Sequence, residues 1–234
     1  MPYSALAFIS IVIFALIHLW AKKTRRFDTI THGRFLSAGG GVAIAYVFVD
    51  LLPKLSKSDQ VVRAVLSGVF PYFERHVYVM SLAGFLLFFV VDQTQTLLHK
   101  KRSFWLSLTS YAQFNFLVGY AVVDKNDPEV RPLALFTFAM GLHYFVNDYS
   151  LRKAHGKAYE QTGKWLLIAS LFSGWLTGLW FVLPQAAVAL ISAFIGGGVI
   201  MNVTRHELPK ENPHSLGAFI LAAIVYMIIL LTLG

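Results

Sequence analysis

The sequence contains no cysteine and few charged residues, and both shortages restrict what the protein can be. Because none of its 234 residues is Cys, disulfide bonds and thiolate metal sites are excluded. The absence of Cys does not indicate whether the protein faces an oxidising or a reducing compartment. Charged residues make up 14% of the chain and hydrophobic residues 56%, whereas about 25% of a soluble domain is charged. This balance favours a protein whose surroundings are largely lipid.

Two common enzyme signatures are also missing from the chain. There is no glycine-rich phosphate loop, so ATP-driven pumping is not indicated. The His206-Glu207 pair lacks the second histidine that a His-Glu-x-x-His zinc site requires. Ser110 or Ser173 could meet His143 as a serine hydrolase pair, but no motif surrounds them. We therefore expect no enzyme, and an intramembrane hydrolase is the least favoured function.

Long apolar runs are abundant, and they dominate the interpretation. A helix needs about 20 apolar residues to cross the hydrocarbon core, whereas strands of a membrane barrel would alternate in polarity. Eight continuously apolar runs occupy residues 3–20, 35–53, 77–98, 104–123, 132–150, 165–183, 186–204 and 216–233. They predict an all-α polytopic membrane protein, with residues 1–234 forming a single integral membrane domain. The first run lacks a basic start and a cleavage site, so it is interpreted as a retained span.

Prolines and amphipathic patterning suggest where the second and sixth spans end. Pro53 and Pro184 are expected to stop these two helices, because proline lacks the N–H that continues the helical hydrogen bonds. Residues 61–73 follow the second span, and they are expected to lie as an amphipathic helix on the membrane surface.

The basic residues indicate an orientation. If the N-terminus is outside, the inner connections carry 14 of the 20 Lys and Arg residues, so the positive-inside tendency favours both termini outside. The net charge of +8 is then explained by anionic lipid on the inner face, and nucleic acid is not an expected partner. The default location is a bacterial inner (plasma) membrane. The expected partners are the lipid bilayer and a divalent cation, with a homodimer left open.

The second and seventh spans resemble each other. The stretch GGGVAIAYVFVDLLPK at 39–54 aligns with GGGVIMNVTRHELPK at 196–210, at an offset of 156 residues. Because the two spans run in opposite directions, the repeat is inverted, and it divides the chain into three, two and three helices. The alternative is a chance match between two glycine-rich spans that end in Leu-Pro.

These stretches resemble the ZIP family of metal-ion permeases. The resemblance rests on Asp50-Leu51-Leu52-Pro53, on His206-Glu207-Leu208-Pro209, on SGWLTG at 173–178, and on the order of spans. It implies the 3+2+3 arrangement and transport of a divalent metal ion such as zinc, iron or manganese. A second possibility is a protein that keeps the ZIP fold without transport and serves in assembly, sensing or lipid interaction.

The resemblance also implies where a metal would bind, between the fourth and fifth spans. The family's histidine and acid in the fourth span correspond to Phe114 and Val118, so a two-metal site is not expected. A single, weaker metal site is implied at Asn115, His143, Asn147 and Asp148.

Each of these site residues also has a structural alternative. His143 could simply hydrogen-bond a neighbouring helix, and Asp148 could pair with Arg152, four residues on. Asp92 lies near the basic turn at 99–102, so a structural ion pair with it is at least as favoured as a relay role, and Asn202 is expected to face the bundle.

Overall fold

The computed structural model describes residues 2–20, 29–66, 75–95, 97–123, 128–208 and 213–233. Within these ranges the regular structure is entirely helical, as predicted. The α-helices are α1 (Tyr3–Trp20), α2 (Thr29–Tyr46), α3 (Leu52–Leu66), α4 (His76–Gln95), α5 (Lys100–Ala121), α6 (Val130–His155), α7 (Lys164–Trp180), α8 (Gln185–Asn202) and α9 (Pro213–Leu233). Three short π-helical turns accompany them, at Val47–Leu51, Tyr159–Gly163 and Val203–Glu207.

Five helical segments in the described ranges are long and apolar enough to cross a membrane. They are Tyr3–Trp20, Gly33–Val65, His76–Gln95, Gln185–Arg205 and Leu216–Leu233. Several of them present large apolar side chains outward, and Leu221 and Leu231 of α9 are 65% and 69% exposed. Side chains of this kind are stable when lipid covers them, so the fold is compatible with an integral membrane protein.

The second helix continues through Pro53, so the prediction that this proline ends it is wrong. α2, the first π-helical turn and α3 follow one another without a break. In the π-helical turn the Leu52 N–H bonds to the carbonyl of Val47, five residues back. This wider turn directly before Pro53 relieves the clash that proline makes in a regular α-helix. Of the predicted surface helix at 61–73, residues 61–66 belong to α3, and residues 67–73 lie outside the described residues. Pro184 does separate two helices, since it is the N-cap of α8.

Glycines allow helices to pack closely at several crossings. A Cβ on Gly41 of α2 would collide with the Phe219 carbonyl of α9, and one on Gly197 of α8 would collide with the Ser81 carbonyl of α4. Gly174 of α7 packs in the same way against the α5 backbone. The main close pairs are therefore α2 with α9, α4 with α8, and α5 with α7, while α1 packs on α6. Small residues permit such approaches between membrane helices.

An aromatic core fills the space between α1, α5 and α6. Phe14, Phe114 and Tyr144 are each at most 1% exposed, and Tyr144 meets Phe14 edge-on with ring centroids 5.0 Å apart. The polar residues described below are embedded in this core.

Candidate functional site

One face of α1 carries polar residues into the protein interior. Its buried residues are Ala7, Ser10, Ile11, Phe14, Ala15 and His18. These positions are three or four residues apart, so they form one stripe along the helix. Ser10 bonds Thr137 of α6 at 2.7 Å between the hydroxyl oxygens, which fastens α1 to α6. His18 lies at the far end of the same stripe and is 1% exposed.

The His18 ring lies between α5 and α6. Its Nδ1 is 2.9 Å from Oδ1 and 2.8 Å from Oδ2 of Asp148. Its Nε2 is 2.9 Å from Oδ1 of Asn115. Asp148 and Asn115 are buried to 0% and 1% exposure. Three helices thus meet on one histidine ring that is closed off from solvent.

The hydrogen bonds link the charge of this ring to that of Asp148. Asn115 donates its Nδ2 to the carbonyl of Tyr111 at 2.8 Å, so the amide oxygen is the atom that faces His18. When the Asp148 carboxyl is ionised, both groups that face the ring are acceptors, and each ring nitrogen donates a proton. In that state His18 and Asp148 form a buried imidazolium–carboxylate pair. Such a pair needs good geometry and additional hydrogen bonds to offset its desolvation, and Asn115 supplies one.

Tyrosines surround the pair. The Tyr144 ring centroid lies 5.1 Å from that of His18. Tyr159, in the connection after α6, is 1% exposed, and its burial and then the nearby Asp148 carboxylate raise the pKa of this tyrosine. These rings keep water from the ion pair, which strengthens the attraction between its charges.

A second buried pair lies directly before Asp148 on α6. Asn147 donates its Nδ2 to Nε2 of His143 at 2.9 Å, so this imidazole nitrogen is unprotonated. His143 is 0% exposed, and Asn147 is 5% exposed. The Phe114 ring packs beside His143 with centroids 5.9 Å apart.

The four residues of the predicted metal site thus divide into two polar groups. His143 contacts Asn147, whereas Asn115 and Asp148 meet on His18. In the part of the chain that the structure describes, no three His, Asp or Glu side chains are grouped as a metal ion would require. The metal site at Asn115, His143, Asn147 and Asp148 stays a prediction.

His18 is not among the predicted site residues, and it stands near the end of the first apolar run. The available signal was the spacing of Ser10 and His18, which puts both polar side chains on the face of α1 that also carries Ala7 and Ala15.

A cavity of about 530 Å³ leads to His143. Lys54, Glu129 and Gln185 line it at the end of the bundle where α6 and α8 begin. Other lining residues come from α2, α6 and α8, and most of their side chains are apolar. His143 is thus a fully buried polar group in the wall of a mostly apolar cavity.

Two other predictions concern polar residues outside this cavity. Asp92 of α4 forms an ion pair with Arg205, with 2.8 Å between the carboxylate oxygen and the guanidinium nitrogen. This partner follows α8 and does not belong to the predicted basic turn at 99–102. Asn202 is 2% exposed and accepts a hydrogen bond from the Tyr111 hydroxyl, so it does face the bundle.

Neither a protein-family model nor a curated protein sequence matches the chain. The resemblance to ZIP permeases accordingly rests on the residues and on the order of apolar runs. Because one fold can host many functions, the function of this chain is inferred from its site.

Proposed function

We propose that the protein is an eight-span membrane transporter with a ZIP-like 3+2+3 scaffold, and that its substrate pathway is the cavity that ends at His143. The spans would be α1, α2 with its π-helical turn and α3, then α4, α5, α6, α7, α8 and α9, with both termini outside. The substrate would be a divalent metal ion, for which imidazole is a suitable ligand.

The positions of two π-helical turns support the inverted repeat. Val47–Leu51 and Val203–Glu207 are 156 residues apart, which is the offset of the sequence repeat. Each interrupts a glycine-rich helix directly before a Leu-Pro pair. If the two apolar helices resembled each other only by chance, there would be no reason for both to contain a π-helical turn at the same aligned position.

The helix contacts support the repeat independently. Exchanging the first three spans with the last three turns the α2–α9 pair into the α8–α4 pair. When the two central helices α5 and α6 are exchanged as well, the α5–α7 pair becomes the α6–α1 pair. All four pairs are close contacts, and Gly41 and Gly197, aligned in the repeat, each meet a partner backbone. Inverted repeats of this kind are typical of secondary transporters, whose binding sites lie near the repeat interface.

The observation that carries the function is the position of His143 at the inner end of the cavity. Ionisable residues inside membrane helices are rare, and they commonly mark substrate or ion pathways. The cavity runs between α2 and α8, the two helices that the repeat relates, which is where a transport pathway would be expected.

Flux through reconstituted protein tests this proposal. Proteoliposomes carrying the wild-type chain should take up manganese, zinc or iron(II) well above empty vesicles. His143→Ala should reduce uptake at least tenfold, whereas His155→Ala, at the end of α6 and away from the cavity, should leave it unchanged. His143→Gln, which retains polarity, shows whether a loss reflects misfolding. Wild-type uptake equal to that of empty vesicles for all three ions would reject transport of these ions.

The alternative is a protein with the ZIP fold that does not transport. It is favoured by the ion pair between His18 and Asp148, because the carboxylate that a metal would use already binds a cationic side chain. In this case the chain would serve in assembly, sensing or lipid interaction. Absence of flux from protein that elutes as a single species and melts cooperatively would favour this alternative.

A further inference from the structure

The walls of the cavity are suited to a hydrocarbon chain. Val47, Leu133 and Ile195 line it, together with further apolar side chains of α2, α6 and α8. Its volume of about 530 Å³ lies within the range of about 300–1,000 Å³ that is typical of small-molecule sites. A methylene group takes roughly the space of a water molecule, about 30 Å³. The cavity therefore has room for one acyl chain, and a second chain of the same lipid would remain in the bilayer.

Two charged side chains that line the cavity have no partner within the described part of the chain. Lys57 of α3 and Glu129, the N-cap of α6, both line the cavity and are both exposed. Neither side chain forms an ion pair or a hydrogen bond with another described residue. Lys54 differs, because its Nζ lies 3.0 Å from Oδ1 of Asp50. The cavity thus offers a ligand one unpaired cation and one unpaired anion.

A ligand whose head carries both charges matches this pair. A fatty carboxylate would be attracted by Lys57 and repelled by Glu129, and a purely cationic head would meet the opposite combination. In a zwitterionic phospholipid the phosphate can bind the lysine while the ammonium binds the glutamate. A primary ammonium donates charge-assisted hydrogen bonds to a carboxylate, whereas a quaternary ammonium has no N–H to donate. The carboxylate therefore favours a head with a primary ammonium.

We propose that the cavity binds a zwitterionic phospholipid with a primary ammonium head, of the phosphatidylethanolamine class, with one acyl chain between α2, α6 and α8. Its phosphate binds Lys57, and its ammonium binds Glu129. The chain passes His143, which lines the same cavity, so the lipid and a metal ion exclude each other. Lipid binding does not depend on transport, and it is measured without a metal ion.

Photo-crosslinking in detergent tests the binding directly. The reagent is a phosphatidylethanolamine that carries a diazirine on one acyl chain, and crosslinked residues are identified by mass spectrometry. Leu221 and Leu231 of α9 are 65% and 69% exposed, so they report on the surrounding lipid. An excess of unlabelled phosphatidylethanolamine or phosphatidylcholine should dilute the labelling of α9 equally. At cavity residues such as Leu133 and Ile195, phosphatidylethanolamine should compete at least fivefold better.

Two single variants separate the contributions of the two charges. Glu129→Gln should abolish the preference for phosphatidylethanolamine, because the neutral amide does not attract the ammonium, and the Glu129 side chain makes no capping bond that would be lost. Lys57→Gln should reduce cavity labelling at least threefold, because the phosphate loses its partner. Lys153→Gln is the matched control, since this lysine is also exposed and does not line the cavity. It should label like the wild type.

Val188→Trp tests whether the acyl chain lies inside the cavity. Val188 of α8 lines it, so the indole would fill space that the chain needs. Cavity labelling should fall at least fivefold, and α9 labelling should stay unchanged. Equal competition by the two lipids at the cavity of the wild type, or a preference that survives in Glu129→Gln, overturns the proposal. Selective labelling without metal uptake would reject transport alone, and metal uptake without selective labelling would reject lipid binding alone.

Discussion

His18 and Asp148 are 130 residues apart in sequence, and their side chains meet at 2.8 Å between Nδ1 and Oδ2 in the interior of the protein. Both side chains are about 1% exposed. The pair joins the first helix of the chain to α6, and Asn115 of α5 completes it. Its partners share no local sequence pattern.

Asp148→Asn should destabilise the protein strongly. It leaves the His18 imidazolium buried without a counter-charge, and breaking one side of a buried ion pair costs about 3–5 kcal/mol. The thermal midpoint in detergent should fall by several degrees. Lys54→Met is the control, because its ion pair with Asp50 includes a lysine that is 48% exposed and should contribute about 1 kcal/mol or less. A melting temperature equal to that of the wild type would contradict the ion pair.

Ser10 and Thr137 should show energetic coupling. Their hydroxyl oxygens are 2.7 Å apart across the α1–α6 contact, and hydrogen bonds between membrane helices contribute about 0.6 kcal/mol on average. Ser10→Ala and Thr137→Ala should each destabilise the fold slightly, and the double variant should cost less than the sum of the two. Strict additivity in the double-mutant cycle would show that the bond contributes nothing.

Gly197→Ala should destabilise the protein far more than the small size of the added methyl group suggests. The added methyl group meets the Ser81 backbone of α4, and overpacking of a close contact costs about 1–3 kcal/mol. Gly41→Ala, at the aligned position of the repeat, should behave alike because it meets the α9 backbone. Gly217→Ala is the control, since nothing lies within 4 Å of the added carbon. Thermal midpoints compare all three variants, and equal effects would argue against the close helix pairs.

His155 should make stability depend on pH. Burial lowers the pKa of this histidine, at the end of α6, below its usual value of 6.5. The unfolded chain therefore takes up a proton at a higher pH than the folded chain does, so this contribution lowers stability as pH falls through about 6.5. His155→Phe, which can keep the packing against Phe104, should reduce the loss of stability between pH 8 and pH 5. An unchanged slope of thermal midpoint against pH would contradict this assignment.

The helical class and the apolar segments follow from local properties of the chain. A run such as 216–233 is apolar throughout, and no tertiary contact is needed to see that it prefers a lipid-facing helix. The aligned GGG and Leu-Pro motifs likewise anticipate the aligned π-helical turns, because both features arise within one helix. The prediction that Pro53 ends the second helix fails for a different reason. The effect of this proline depends on the hydrogen bond from the Leu52 N–H to the Val47 carbonyl, five residues back, and composition does not reveal that bond.

The sequence by itself determined an all-helical, lipid-compatible chain with polar residues at His143, Asn147, Asp148 and Asn115. Only the tertiary structure decided which of these residues meet. Periodicity orders side chains around a single helix axis, but it contains no information on which helices become neighbours or how they rotate against one another. Packing between α1, α5 and α6 brings His18 to Asp148 and Asn115, and it leaves His143 beside Asn147 at the end of the cavity. The four residues of the predicted metal site are thereby divided between two groups, with Asp148 and Asn115 on His18 and Asn147 on His143.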